Sequence, residues 1–215
     1  MVAKTISRLS IPLTTNACPT GSGGSALNPG AGKHNEETLY KRLSSKMVFT
    51  HPRLTVMEDQ VGLPDGQSGD YLWFAGRRGG VAVIARDSAG KILVEKEYSY
   101  LSGEALYQFA GGGIEEGEAP EIAASRELGE ELNYRANQLT LLGSYFADHR
   151  RTLAKMHVFL GEDLIVQESK TRDKYEVDMQ SFWLTETEID ALIACGKVVN
   201  ASMLAAWTIY KNRKQ

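Results

Sequence analysis

From residue 54 onward, apolar and polar positions alternate in short runs, the period of strands with one face buried. LTVMEDQV at 54–61 is followed by the turn signal Leu63-Pro64-Asp65-Gly66 and by DYLWFA at 70–75, which together predict a β-hairpin with a loose loop. A second hairpin is predicted where Val81 to Ala85 and Ile92 to Tyr100 flank Asp87-Ser88-Ala89-Gly90. The period then changes. Pro120 suits the first turn of a helix, and IAASRELGEELN at 122–133 continues it. LTLLGSYF at 139–146, KMHVFLG at 155–161 and SFWLT at 181–185 read as further strands. TETEIDALIACG at 185–196 and SMLAAWTIYKN at 202–212 read as two closing helices. Strands dominate and helices enter late, so the expected class is α+β or an α/β sandwich.

Residues 14–35 break this pattern. They are rich in Gly, Ser, Thr, Asn and Pro and poor in large apolar side chains, so little burial offsets the entropy of ordering them. Residues 1–46 are therefore expected to form a flexible leader, and 47–215 the functional domain, whose first strand-like segment opens at Met47. Gly32-Lys33 is not a phosphate loop, because Leu27 stands where the first glycine belongs and His34 where a Ser or Thr should follow.

The 215 residues carry 24 Lys+Arg against 27 Asp+Glu, a net charge of −3, which disfavours a polymeric nucleic acid as partner. No apolar run approaches the ~20 residues of a membrane span, and the stretch from Ile6 to Leu13 is too interrupted for a secretory signal. Two cysteines, Cys18 and Cys195, suggest neither a disulfide framework nor a cysteine zinc site. A reducing, cytoplasmic setting is expected.

The chemistry concentrates in one window. At 100° per residue, Arg126, Glu127, Glu130 and Glu131 share an arc of roughly 140°, with Ala124, Leu128 and Leu132 on the other side. Glu127 and Glu131 are a like-charge i,i+4 pair that costs an isolated helix about 0.2–0.5 kcal/mol. Arg126 is one positive charge for three carboxylates, and the remainder suits a hard divalent cation such as Mg2+. Just upstream, FAGGGIEEGE at 109–118 supplies glycines whose backbone can approach closely what side chains would block.

Gly112, Glu118 and Arg126-Glu127-Leu128-Gly129-Glu130-Glu131 stand at the spacings G-x5-E-x7-R-E-U-x-E-E, and this resembles the Nudix signature. Asn133 and Tyr134 depart from the closing G-U of that pattern; Asn tolerates left-handed backbone and so preserves helix termination. From about Met47 to Tyr210 the chain is similar to the ADP-ribose pyrophosphatase branch of the Nudix hydrolases. EYSYL ahead of the signature and WLTETEIDALIACGKVVNASMLAAW after it carry that likeness.

The resemblance implies an α/β/α sandwich with a mixed central sheet and an N-terminal antiparallel hairpin region. It implies a homodimer built through the N-terminal strands, Leu54 to Phe74. It further implies Glu127 and Glu131 as the principal Mg2+ ligands, with Mn2+ as a substitute, Glu130 as a further ligand, and the Gly111 carbonyl as a backbone ligand. Glu118 and Arg126 would orient the helix against the loop. The catalytic base is expected in ESKTRDKYEVDMQ, which offers Glu168, Asp173, Glu176 and Asp178; Glu176 is preferred and Glu130 is the second choice.

For the substrate, the basic residues Arg77, Arg78, Arg150 and Arg151 are candidates for phosphate or ribose, and Tyr71, Trp73, Tyr98 and Tyr100 for a nucleobase. His149 and His157 are weaker candidates. Two departures from the branch bear on specificity: Tyr98-Ser99-Tyr100 replaces a segment that carries arginine there, and Arg150 stands near the usual place of a proline. The activity implied is hydrolysis of ADP-ribose, or a related nucleoside diphosphate sugar, to AMP and ribose 5-phosphate. A dNTP pyrophosphohydrolase acting on a nucleotide such as dATP is the alternative, and a non-catalytic ADP-ribose sensor is third.

Overall fold

The computed structural model describes residues 39–76, 78–167 and 179–213. Its first sheet is antiparallel, in chain order: β1 (Lys41–His51), β2 (Leu54–Gly62) and β3 (Ser68–Ala75). β2 and β3 are the first predicted hairpin. Their register pairs Met57 with Trp73 and Glu58 with Leu72, and the Leu63 amide donates to the Gln67 carbonyl at 2.8 Å to close the turn.

β1 begins at Lys41, so residues 41–46, assigned from sequence to the leader, belong to a strand. That stretch lacks apolar alternation and is held by polar contacts: Arg42 to Asp59 at 2.9 Å, Lys46 to Glu58 at 2.6 Å, and the Ser45 hydroxyl to Asp59 at 2.5 Å.

The second sheet contains β4 (Gly80–Arg86), β5 (Ile92–Ser99), β6 (Glu104–Gln108), β7 (Tyr134–Phe146), β8 (Lys155–Val166) and β9 (Gln180–Leu184), in the order β6-β5-β4-β8-β7, with β9 also paired to β5. β4 and β8 are parallel and the other pairings antiparallel, so the sheet is mixed. β6 and the polar first residues of β7 lie where the sequence pattern predicted no element. Both are ordered by ladder hydrogen bonds to neighbouring strands, which local composition does not report.

Helix α1 (Pro120–Leu132) covers one face of this sheet, and α2 (Glu186–Ala194) with α3 (Ala201–Arg213) covers the other, giving the expected α/β/α sandwich. β4 shows how sequence produces the layers. Val81, Val83 and Ala85 point to α1, where Ala124, Leu128 and Leu132 meet them, whereas Ala82 and Ile84 point to Met203, Trp207 and Tyr210. Each large aliphatic side chain so buried contributes about 1.5–3 kcal/mol. Among the described residues, no helix is long and apolar enough to cross a membrane.

The loop after β7 fastens the first sheet to the second. The Phe74 amide donates to the Arg151 carbonyl at 2.6 Å, the Tyr71 hydroxyl to the Arg150 carbonyl at 2.5 Å, and Arg151 Nη1 to the Leu72 carbonyl at 3.0 Å.

Candidate active site

The site is built where the glycine loop between β6 and α1 runs beside β4. The amides of Val81 and Val83 donate to the carbonyls of Gly112 (2.9 Å) and Ala110 (2.7 Å), which zips the loop onto the strand. Side chains would prevent this approach. A Cβ on Gly80 would lie 2.5 Å from the Gly112 carbonyl, and one on Gly111 would collide with the Val81 carbonyl. Gly79 and Gly80, absent from the sequence-based site, are thus part of its frame; the sign of it was a glycine pair directly ahead of an apolar run.

α1 delivers the carboxylates. Pro120 opens it, and Asn133 closes it in left-handed backbone with φ 58°, its amide donating to the Leu128 carbonyl, as the substitution for glycine led us to expect. Glu127 and Glu131 occupy the end of the acidic arc adjoining Ala124, so they turn inward and are buried, 9% and 5% exposed. Glu127 faces Gly112 so closely that a Cβ there would overlap its carboxylate. Glu131 Oε2 accepts the Gly111 amide hydrogen at 2.7 Å, so the contact made by Gly111 runs through its N–H.

Arg126 ties the whole together, and each of its five N–H donors is engaged. Nε and Nη2 grip Glu118 at 2.9 and 3.0 Å, and Nη2 also reaches the Gly113 carbonyl at 2.9 Å. Nη1 is shared between Glu127 at 2.7 Å and Glu130 at 3.2 Å. The hydrogen bonds from Arg126, and next the Glu115 amide, hold the Glu118 carboxyl below its ordinary range. The same carboxylate raises the pKa of the Arg126 guanidinium, with Glu127 and Glu130 adding to it against the effect of burial.

One guanidinium therefore stands among Glu118, Glu127 and Glu130, with Glu131 nearby on the Gly111 amide. Gly112 leaves room for the Glu127 carboxylate, and carboxylate oxygens are the donor type that a hard divalent cation takes. Among the described residues, no three His, Cys, Asp or Glu side chains are gathered in a metal-holding arrangement. Arg126 Nη1 lies between Glu127 and Glu130, and Glu131 is turned to Gly111.

The other candidates lie apart from this core. Arg78 pairs with Glu116 of the glycine loop at 3.2 Å, close to the site. Tyr98 is exposed on β5, and Arg150 is exposed in the loop docked on β3. Trp73 sits in β3 with the Arg42 guanidinium 5.9 Å above its ring. His157 is half-buried on β8, its pKa lowered by burial first and by Lys155 second. Arg77, Glu168, Asp173, Glu176 and Asp178 lie outside the described residues.

An arginine-bound acidic helix is thus seated on a glycine loop that runs beside β4, within a mixed sheet between helical layers. Residues 76–206, more than half of the chain, match the family described as the NUDIX domain, and the chain belongs to that family. It is a Nudix pyrophosphohydrolase of nucleotide-derived substrates, related to the ADP-ribose pyrophosphatase branch. It is 30% identical over 142 residues to the ADP-ribose pyrophosphatase of Bacillus subtilis (strain 168), covering 66% of this chain and 74% of the relative. It is 25% identical over 179 residues to the ADP-ribose pyrophosphatase of Mycobacterium tuberculosis (strain ATCC 25618 / H37Rv), covering 80% and 82%. The crystal structure of an ADP compounds hydrolase superposes with a TM-score of 0.74 at 21% identity, over 81% of this chain and 94% of that one, a likeness of fold.

Proposed function

We infer that this chain hydrolyses the pyrophosphate bond of a nucleoside diphosphate derivative, with ADP-ribose, cleaved to AMP and ribose 5-phosphate, as the first substrate. The observation that carries this is the seating of Glu127 against Gly112 with Glu131 on the Gly111 amide: two buried carboxylates held side by side on a loop of bare backbone. Glu127, Glu131 and Glu130, with the Gly111 carbonyl, would hold Mg2+, or Mn2+ in its place. When bound, the cation supplies charge neutralisation on the phosphoryl oxygens and acidifies a coordinated water.

The residues of the chain do the rest. Glu118 and Arg126 fix the helix to the loop, so the carboxylates keep their spacing when a diphosphate approaches. A cleft bordered by Gly111, Gly112, Phe109, Met156, Asn200 and Met203 adjoins the loop and offers room for the organic part of the substrate. Glu176 is our choice for the group that takes the proton of the attacking water, with Glu130 second. Water adds its oxygen to one phosphorus, the bridging P–O bond breaks, and the leaving phosphate keeps the bridging oxygen. Arg77, Arg78 and Arg150 are proposed for phosphate and ribose, and Tyr98 and Trp73 for the base.

Exposed Leu43, Met47, Phe49 and Tyr71 on the first sheet support a homodimer through that sheet. Tyr98-Ser99-Tyr100, in place of a segment in which the branch carries arginine, favours one second reading, a dNTP pyrophosphohydrolase. A panel of ADP-ribose, ADP-glucose, NADH, diadenosine polyphosphates and dNTPs, assayed with Mg2+ and with Mn2+, separates the readings. AMP released from ADP-ribose supports the first, and pyrophosphate from dATP alone the second. No metal-dependent product from any compound would sink both.

A further inference from the structure

Arg126 divides its guanidinium between two tasks. The edge formed by Nε and Nη2 is committed to Glu118 and to the Gly113 carbonyl, neither of which lies on α1. The remaining corner, Nη1, is spent on Glu127 and Glu130 of its own helix, two of the carboxylates assigned above to the cation. The side chains of Arg126 and Glu127 are 22% and 11% exposed, so water screens that contact weakly, whereas the Glu130 side chain is 37% exposed.

Resting on that assignment, we propose that Arg126 is the resident countercharge of the site, and that its Nη1 gives up Glu127 and Glu130 to an incoming divalent cation while Nε and Nη2 keep their hold on Glu118 and Gly113. The anchored edge makes the exchange local. A guanidinium tethered on two sides releases one corner by a small rotation, and the glycine loop stays fastened to α1 throughout. Without the cation, the same corner offsets the repulsion that Glu127 and Glu130 would otherwise impose on the helix.

Arg126 is thus a positioning residue with two opposite effects, which makes the sign of one measurement decisive. An arginine that merely orients the ligands strengthens cation binding, and its removal weakens it. An arginine that also competes for the ligands weakens binding, and its removal tightens it. Mn2+ binding is followed by the loss of the free-ion paramagnetic resonance signal. It is measured on the full-length wild type and Arg126→Gln at about 0.5 M KCl, where charges beyond a few ångströms are screened and contact competition remains. Thermal melts in EDTA and in Mn2+ accompany it.

The expected result is Mn2+ bound about 3–10-fold more tightly by Arg126→Gln, with a lower Tm in EDTA and a larger rise in Tm on adding Mn2+. Equal or weaker Mn2+ binding by the folded variant overturns the exchange. Should Arg126→Gln not fold, Arg126→Lys retains a cation beside Glu118 but cannot span all the partners; it is expected to bind Mn2+ more tightly than wild type, and equal or weaker binding overturns the proposal. Mn2+ bound by neither wild type nor variant overturns the metal assignment as well, so the two failures are distinct.

Discussion

Gly112 and Glu127, fifteen residues apart, occupy one another's space: the carboxylate of Glu127 fills the volume into which a Cβ on Gly112 would project. The glycine of the loop is thus the seat of the helix carboxylate, and the pair fixes the distance between loop and helix.

Gly112→Ala is expected to push Glu127 away from the loop. Overpacking of this kind costs about 1–3 kcal/mol, and a displacement of order 1 Å at a reacting site costs about 10²-fold in turnover. Gly113→Ala is the control for stability, because a Cβ there meets nothing within 4 Å. Thermal melts and kcat of the two variants check this; a Gly112→Ala enzyme of wild-type turnover would show that Glu127 does not depend on its seat.

Glu131→Gln is expected to lower kcat by at least about 10²-fold with little change in Tm, because the amide oxygen of Gln still accepts the Gly111 N–H that Glu131 accepts at 2.7 Å. Far-ultraviolet dichroism with steady-state rates in saturating Mg2+ separates loss of chemistry from loss of fold.

Glu118 predicts a pH dependence. Arg126 first, and the Glu115 amide second, hold its carboxyl below the ordinary value of 4.5. A carboxylate depressed in the folded state contributes stability that is present above its unfolded pKa and is lost as pH falls through the lower folded value. The Tm gap between wild type and Glu118→Gln is therefore expected to be full above about pH 5 and to close as the pH falls below 4. A gap unchanged down to pH 3 would remove Glu118 from the ion pair.

Thr185→Ala tests a feature remote from the site. Thr185 and Glu188 form a reciprocal cap at the start of α2, the Glu188 amide donating to the Thr185 hydroxyl at 3.3 Å and the Thr185 amide to Glu188 at 2.7 Å. Its loss is expected to cost about 1 kcal/mol, or about 2–4 °C in Tm, with kcat unchanged.

Much of the fold was legible because its signals are local. The two hairpins announced themselves through Leu63-Pro64-Asp65-Gly66 and Asp87-Ser88-Ala89-Gly90, and α1 through Pro120 and the spacing of Ala124, Leu128 and Leu132. β6 and the part of β1 ahead of Met47 stayed silent. Lys41 to Lys46 carry no apolar period and are ordered by Asp59 and Glu58 of a partner strand, a relation that pattern along one segment does not contain.

For the site, the sequence by itself determined which residues are present and at what intervals: glycines at 111–113, Glu118, and Arg126 with its three following glutamates on one arc of a helix. Helical geometry turns those intervals into a common face, because 3.6 residues per turn leaves no other choice. Only the tertiary structure decided that Glu127 and Glu131 are buried while Glu130 stays partly exposed, that the Gly111 amide serves Glu131, and that Arg126 spends one corner on its own helix. Those outcomes depend on how closely the loop lies against β4, and that distance is set by the packing of backbone on backbone at Gly80, Gly111 and Gly112.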